Sequence, residues 1–230
     1  MVTLTAEQAK QDYVDKMGEP LGAQFAELWQ EVADLHEKWL EFVELFGAKE
    51  SRIDLINRAA PRFFRIVQDV LWEETLLHIA RLTDKQNNHP TKRRLTLRNL
   101  SQLVKDPTAK RSVEALFAKV ERDAEFCRDW RDRHIAHLNL ALAINDPSAQ
   151  PLLPASRKQV DQVLDGIVAL LNAVSSHYRD SESFFRLGTS ADGAVSLLYI
   201  IDGGLKAQEA RRQRLHQGKY TNDDIGPKDI

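Results

Sequence analysis

Apolar residues recur along this chain at steps of three and four almost from end to end, the spacing of helices that bury one face. The pattern is clearest between Pro20 and Phe46, where Leu21, Phe25, Leu28, Trp29, Val32, Leu35, Trp39, Val43 and Phe46 share one side and Gly47 follows as a stop. At ~1.5 Å per residue that helix is about 40 Å long, which suits a bundle of long helices. Thr5 with Gln8 spells a capping box for a shorter helix ending near Gly18. A second long helix is predicted from Pro61 to about Leu82, with Phe63, Val67, Val70, Leu71, Leu77 and Ile79 on its apolar side.

Further on, Asn87-Asn88-His89-Pro90 reads as a loop and Leu97–Val104 as a short helix. Asp106-Pro107 is a strong start signal, an acidic cap followed by proline at the first helical position. The helix it opens carries Val113, Leu116, Phe117, Val120 and Phe126 and is predicted to reach into 130–140. Three prolines make Asn145–Pro154 a loop, and Ser156 with Gln159 opens another helix with Val160, Val163, Leu164, Ile167, Leu170, Leu171 and Val174 inward. A last helix is predicted from Ser190 toward Leu215, kinked or broken at Gly203-Gly204. Repeats and strand patterns are absent. The fold class is therefore all-α, an up-and-down bundle of long helices, with one helical domain over residues 1–217 and a polar, flexible tail over 218–230.

Composition narrows the function classes. With 230 residues, 43% of them hydrophobic and 29% charged, the chain can bury a sizeable core without staples. Cys127 is the single cysteine, which excludes a disulfide framework and fits a reducing compartment. Beside Phe126 on a helical pattern it reads as a small buried residue. No apolar run approaches the ~20 residues of a membrane helix, and Met1–Lys10 lacks a signal-peptide pattern, so a cytoplasmic protein with no membrane partner is expected. The net charge of −2 conceals a segment, Lys85–Arg111, with eight basic residues and one acid. That local +7 is a candidate phosphate-binding surface as well as a candidate solvated loop.

Phosphate-loop, dinucleotide, nucleophile-elbow and HExxH patterns are all missing, and no metal and no cofactor is expected. Glu74 and His78 have helical i,i+4 spacing without a second copy, the mark of an exposed pair rather than a ligand set. Residues 128–137 are different: Arg-Asp-Trp-Arg-Asp-Arg-His-Ile-Ala-His places three arginines and two histidines in ten positions. Five acids against four arginines over 121–137 leave a plain alternative, in which Arg131 and Arg133 pair with Asp129, Asp132 or the acids before them.

On these residues the chain resembles the HEPN superfamily (higher eukaryotes and prokaryotes nucleotide-binding), and in particular its abortive-infection, AbiU-like branch. Arg131-Asp132 followed by His137 matches the superfamily signature, and His78–Asp84, "HIARLTD", is similar to the AbiU-like branch, as is the order of long helices. The resemblance implies a HEPN-like bundle and a metal-independent endoribonuclease, a toxin or phage-defence effector cutting single-stranded or tRNA-like RNA to a 2′,3′-cyclic phosphate. His137 would be the acid/base, Arg131 the transition-state clamp and Asp132 its orienter. Lys92, Arg93, Arg94 and Arg98 would hold the RNA backbone. A homodimer and an antitoxin protein are the implied partners; the alternative is a non-catalytic binding module of the same fold. Asn139 stands where the subgroup silenced by nucleotidylation has tyrosine, so that regulation is not expected.

Geometry complicates the motif. Six residues along a straight α-helix turn side chains by about 120°, so Arg131 and His137 do not share a face, whereas Arg133 and His137 do. Either the helix departs from regularity at the motif, or two protomers complete the site together. Arg133 and His134 are accordingly supporting candidates, with Arg133 a substitute for Arg131.

Overall fold

The structure, a computed structural model, describes residues 5–84, 93–185, 192–219, 221 and 224. Among them the chain is helical, with no strand: α1 (Ala6–Met17), α2 (Leu21–Phe46), α3 (Glu50–Ala59), α4 (Pro61–Leu82), α5 (Leu97–Leu103), α6 (Pro107–Asp123), α7 (Glu125–Trp130), a π turn (Arg131–Ile135), α8 (Leu140–Ala143), α9 (Arg157–Arg179) and α10 (Ala194–His216). Contacts gather into two compact units, Met1–Trp39 with Leu71–Leu187, and Leu40–Val70 with Gly188–Ile230.

The first unit carries the motif. Its core joins Phe25, Leu28, Val32 and Leu35 of α2 to Leu164, Ile167, Leu170 and Leu171 of α9, all fully buried. Each such side chain contributes about 1.5–3 kcal/mol relative to exposure. Val113, Phe117 and Val120 of α6 lie along α9, and a Cβ added to Gly166 would come within 2.9 Å of Val120. Only glycine lets the two helices approach so closely there. Trp39 donates from Nε1 to Asp161 Oδ1 at 2.9 Å, fixing α2 against α9 at a polar point. The Thr5–Gln8 capping box forms, and Asp106 and Ser156 cap α6 and α9 as their sequences predict.

His78 overturns the exposed-pair expectation. Its side chain is only 2% exposed, and Nε2 bonds Glu31 Oε2 at 2.9 Å across to α2. Glu74 Oε1 lies 4.0 Å from His78 Nδ1 and pairs more closely with Lys38 at 2.9 Å and Arg81 at 3.7 Å. The helical spacing was right, but α4 turns this face inward.

In the second unit α3 packs on α10. The sequence pattern passes over α3 because a ten-residue helix offers only three apolar markers, Ile53, Leu55 and Ile56, too few to repeat a period. Glu41 of α2 accepts from the Ala194 N–H at 2.5 Å and so caps α10. The predicted break at Gly203-Gly204 does not occur: α10 runs unbroken from Ala194 to His216. Two glycines cost a helix ~1 kcal/mol each but do not forbid it. The expected opening at Ser190 lies outside the described residues. Phe63 and Val70, expected inward, are 58% exposed each. Of the polar tail, Asp224 folds back: its carboxylate takes Arg214 Nη2 at 2.6 Å and its carbonyl takes Arg211 Nε at 2.9 Å.

Candidate active site

The helix that Asp106 opens does not continue into the motif. It stops at Ala124, and α7 starts with Phe126 and Cys127 buried. Burial pushes the Cys127 thiol well above its usual range, which keeps it protonated and inert, as expected of a packing residue. Arg128 ties the joint together. Its Nη2 donates to the Glu121 carbonyl at 2.5 Å, taking up an acceptor near the end of α6, and its Nη1 donates to Thr83 Oγ1 at 3.1 Å.

At Arg131 the backbone widens into a π turn, closed by the Ala136 N–H on the Arg131 carbonyl at 2.8 Å. Such single turns are frequent at functional sites. The consequence here is that neighbours in sequence meet different partners. Arg131 donates from Nε to Asp132 Oδ1 at 2.6 Å, and its Nη1 lies 3.3 Å from Asp84 Oδ2. The hydrogen bond from Arg131 holds the Asp132 carboxyl below its usual range, and the charge of nearby His137 acts in the same direction. Reciprocally, Asp132 foremost and then Asp84 hold the Arg131 guanidinium more firmly protonated. His137 is exposed, as are Leu138 and Leu140 beyond it.

Arg133 goes elsewhere. Its Nη1 donates to Asp129 Oδ1 at 3.0 Å and to the Pro151 carbonyl at 3.1 Å, and its Nη2 to the Gln150 carbonyl. Asp129 also accepts from the Leu153 N–H at 2.8 Å, and Trp130 Nε1 donates to the Leu153 carbonyl at 2.9 Å. Together they pin the loop after α8 to the back of the motif. His134 sits edge-on to Trp130, with Nε2 3.7 Å from Glu73 on α4. Both supporting candidates are therefore structural neighbours of the loop and α4, whereas Arg131 and Asp132 pair with each other and His137 acts on Asp132 through its charge.

The family comparison bears on this same stretch of chain: a family model described as AbiU2 (HEPN_AbiU2) matches residues 18–193. The chain belongs to the AbiU2 family of the HEPN superfamily. No curated protein and no solved structure matches it. In this AbiU2 chain Asn139 has a local task, accepting from the Leu142 N–H at 3.2 Å to cap α8.

The basic segment of the AbiU2 chain reaches the motif through acids the sequence reading did not assign. Arg94 Nη1 donates to Asp84 Oδ2, the same oxygen that Arg131 approaches. Arg98 Nη2 meets Glu121 Oε1 at 2.5 Å, and its guanidinium lies 4.8 Å from the Phe117 ring centre. Arg93 is exposed, and Lys92 lies outside the described residues. Asp84, Glu121 and Arg128 are the residues missed. Asp84 ends the "HIARLTD" segment and Arg128 stands one turn before Arg131, so both were marked by position, but their partners lie far off in sequence. No group of three metal-ligating side chains is found among the described residues, and no helix there is long and apolar enough to cross a membrane.

Proposed function

We propose that this AbiU2-family protein is a metal-independent endoribonuclease acting in the cytoplasm as a toxin or phage-defence effector, with an antitoxin protein as its regulator. The observation that carries this reading is the orientation of the motif arginine: Asp132 holds the Arg131 guanidinium at Nε and Asp84 meets it at Nη1, with the motif imidazole, His137, exposed to solvent two residues past the π turn. In the reaction the RNA 2′-oxygen attacks its own phosphorus and the P–O5′ bond breaks. The 2′ proton passes to a base and O5′ takes a proton from an acid, giving a 2′,3′-cyclic phosphate and a 5′-hydroxyl. Histidine moves protons near neutral pH, and a fixed arginine stabilises the charge that builds on the phosphorane oxygens. One protomer supplies one His137, so base and acid together call for two copies. The exposed Leu138, Leu140 and Ile144 directly after the motif offer an apolar face for a second copy.

The test is cleavage of total RNA and a tRNA pool in EDTA by wild type and His137→Ala. Cyclic-phosphate ends from wild type alone support the reading, and a requirement for added magnesium sinks the mechanism. A second reading, a non-catalytic RNA-binding or interaction module, is favoured by one observation: the motif arginine, Arg131, is itself engaged by Asp132 and Asp84. RNA binding by a folded protein that never cleaves decides for it.

A further inference from the structure

We infer that Arg94 and Arg131 form a two-arginine seat for one oxygen of an RNA phosphodiester, and that the Asp84 carboxylate occupies this seat in the free protein. The inference rests on the RNA-directed reading above and deepens it. A single oxygen, Asp84 Oδ2, meets Nη1 of Arg94 and Nη1 of Arg131. One anionic oxygen shared by two guanidinium groups is the arrangement a phosphate oxygen adopts between paired arginines, whose planar forks remain charged throughout.

The two acids on Arg131 are not equivalent. Asp132 is the next residue in the chain and holds Nε from within the π turn, so it keeps the fork oriented whatever happens at Nη1. Asp84 comes from another element, two residues beyond the end of α4, where the last turn closes with the Asp84 N–H on the Arg81 carbonyl at 3.4 Å. Its side chain is 16% exposed beside an Arg94 that is 52% exposed, so the pair meets solvent chiefly on the Arg94 side. A phosphodiester that takes the Oδ2 position replaces one charge-assisted contact set with another of the same sign. Asp84 is thus a positioning residue: it keeps two cations side by side when no RNA is present, and it competes with RNA for them. Arg94, read from sequence as a general backbone contact, becomes a partner of the motif arginine.

The experiment is fluorescence-anisotropy binding of a 2′-O-methyl oligoribonucleotide, which the full-length protein cannot cleave by 2′-oxygen attack. Asp84→Asn removes the competing charge and is expected to tighten binding by about 5- to 10-fold, while Asp84→Glu, which keeps it, binds no tighter than wild type. In the Asp84→Asn/Arg94→Ala double variant the gain disappears. Should the asparagine variant fail to show cooperative melting, Asp84→Ser provides the same comparison. Unchanged or weaker binding by a folded Asp84→Asn, or a gain that survives loss of Arg94, overturns the inference. Cleavage of unmodified RNA by wild type is assayed alongside. Absence of cleavage counts against the nuclease reading and leaves the binding comparison readable, whereas cleavage with no effect at Asp84 counts against the seat alone.

Discussion

Arg131 and Arg133 stand two positions apart on one π turn and serve different structures. Arg131 engages Asp132 and Asp84 beside His137, whereas Arg133 holds Asp129 and two loop carbonyls. Substitution should separate them cleanly. Arg133→Ala gives up charge-assisted hydrogen bonds to partly buried acceptors, at a cost of about 1–3 kcal/mol in a urea titration. RNA cleavage by the molecules that remain folded should stay within about tenfold of wild type, because no group at the cluster is touched. Arg131→Ala gives up contacts as buried as those of Arg133 and should cost a similar amount of stability, but it should also reduce cleavage by about 10²- to 10³-fold, the usual loss on removing one fixed transition-state donor. Equal loss of cleavage in both variants would deny the division. The plain alternative read from the sequence was correct about the pairs, Arg131 with Asp132 and Arg133 with Asp129, and those pairs are what orient the motif.

At the scale of elements, α2 and α4 meet through His78. Burial lowers its pKa, opposed by Glu31 and Glu74 and aided by Arg81 and Lys38. A histidine whose folded pKa lies below its unfolded value of about 6.5 adds stability above that value and loses it as pH falls toward the folded pKa. The melting temperature of wild type should therefore drop between pH 7.5 and pH 5, and His78→Gln, which can still donate to Glu31, should flatten that slope. Parallel slopes in the two proteins would show that the burden lies elsewhere. The helices themselves were largely readable, because burying one face imposes a period that Phe25, Leu28, Val32 and Leu35 display directly. What escaped was decided by partners remote in sequence. The stop at Ala124 is braced by Arg128 reaching Thr83, and the π turn is braced by a loop some twenty residues on. Likewise the motif triad was visible as a spacing, while Asp84 took its meaning only from two arginines brought to it.

For the whole molecule, the consequential surface is the apolar run Leu138, Leu140 and Ile144, each more than 60% exposed and continuous with His137. If a second copy covers it, Leu138→Asp with Leu140→Asp should convert a dimer to a monomer by light scattering at micromolar concentration. On the proposed mechanism cleavage should fall with it, since base and acid would come from the two copies of His137. A wild-type protein that is already monomeric and cleaves RNA at full rate would remove the dimer from the mechanism.

The contact between Gly166 and Val120 has a consequence for conditional genetics. A single added methyl at Gly166 meets the Val120 side chain, so Val120 must give way to admit it, and Val120 stands on α6 next to Glu121, whose groups hold Arg98 and Arg128. Overpacking of this kind typically costs about 1–3 kcal/mol, enough to move the melting point by several degrees and little more. On the proposed toxin reading, Gly166→Ala is thus the position to choose for a heat-sensitive allele: growth arrest on expression at low temperature, relieved a few degrees higher, with no residue of the motif substituted.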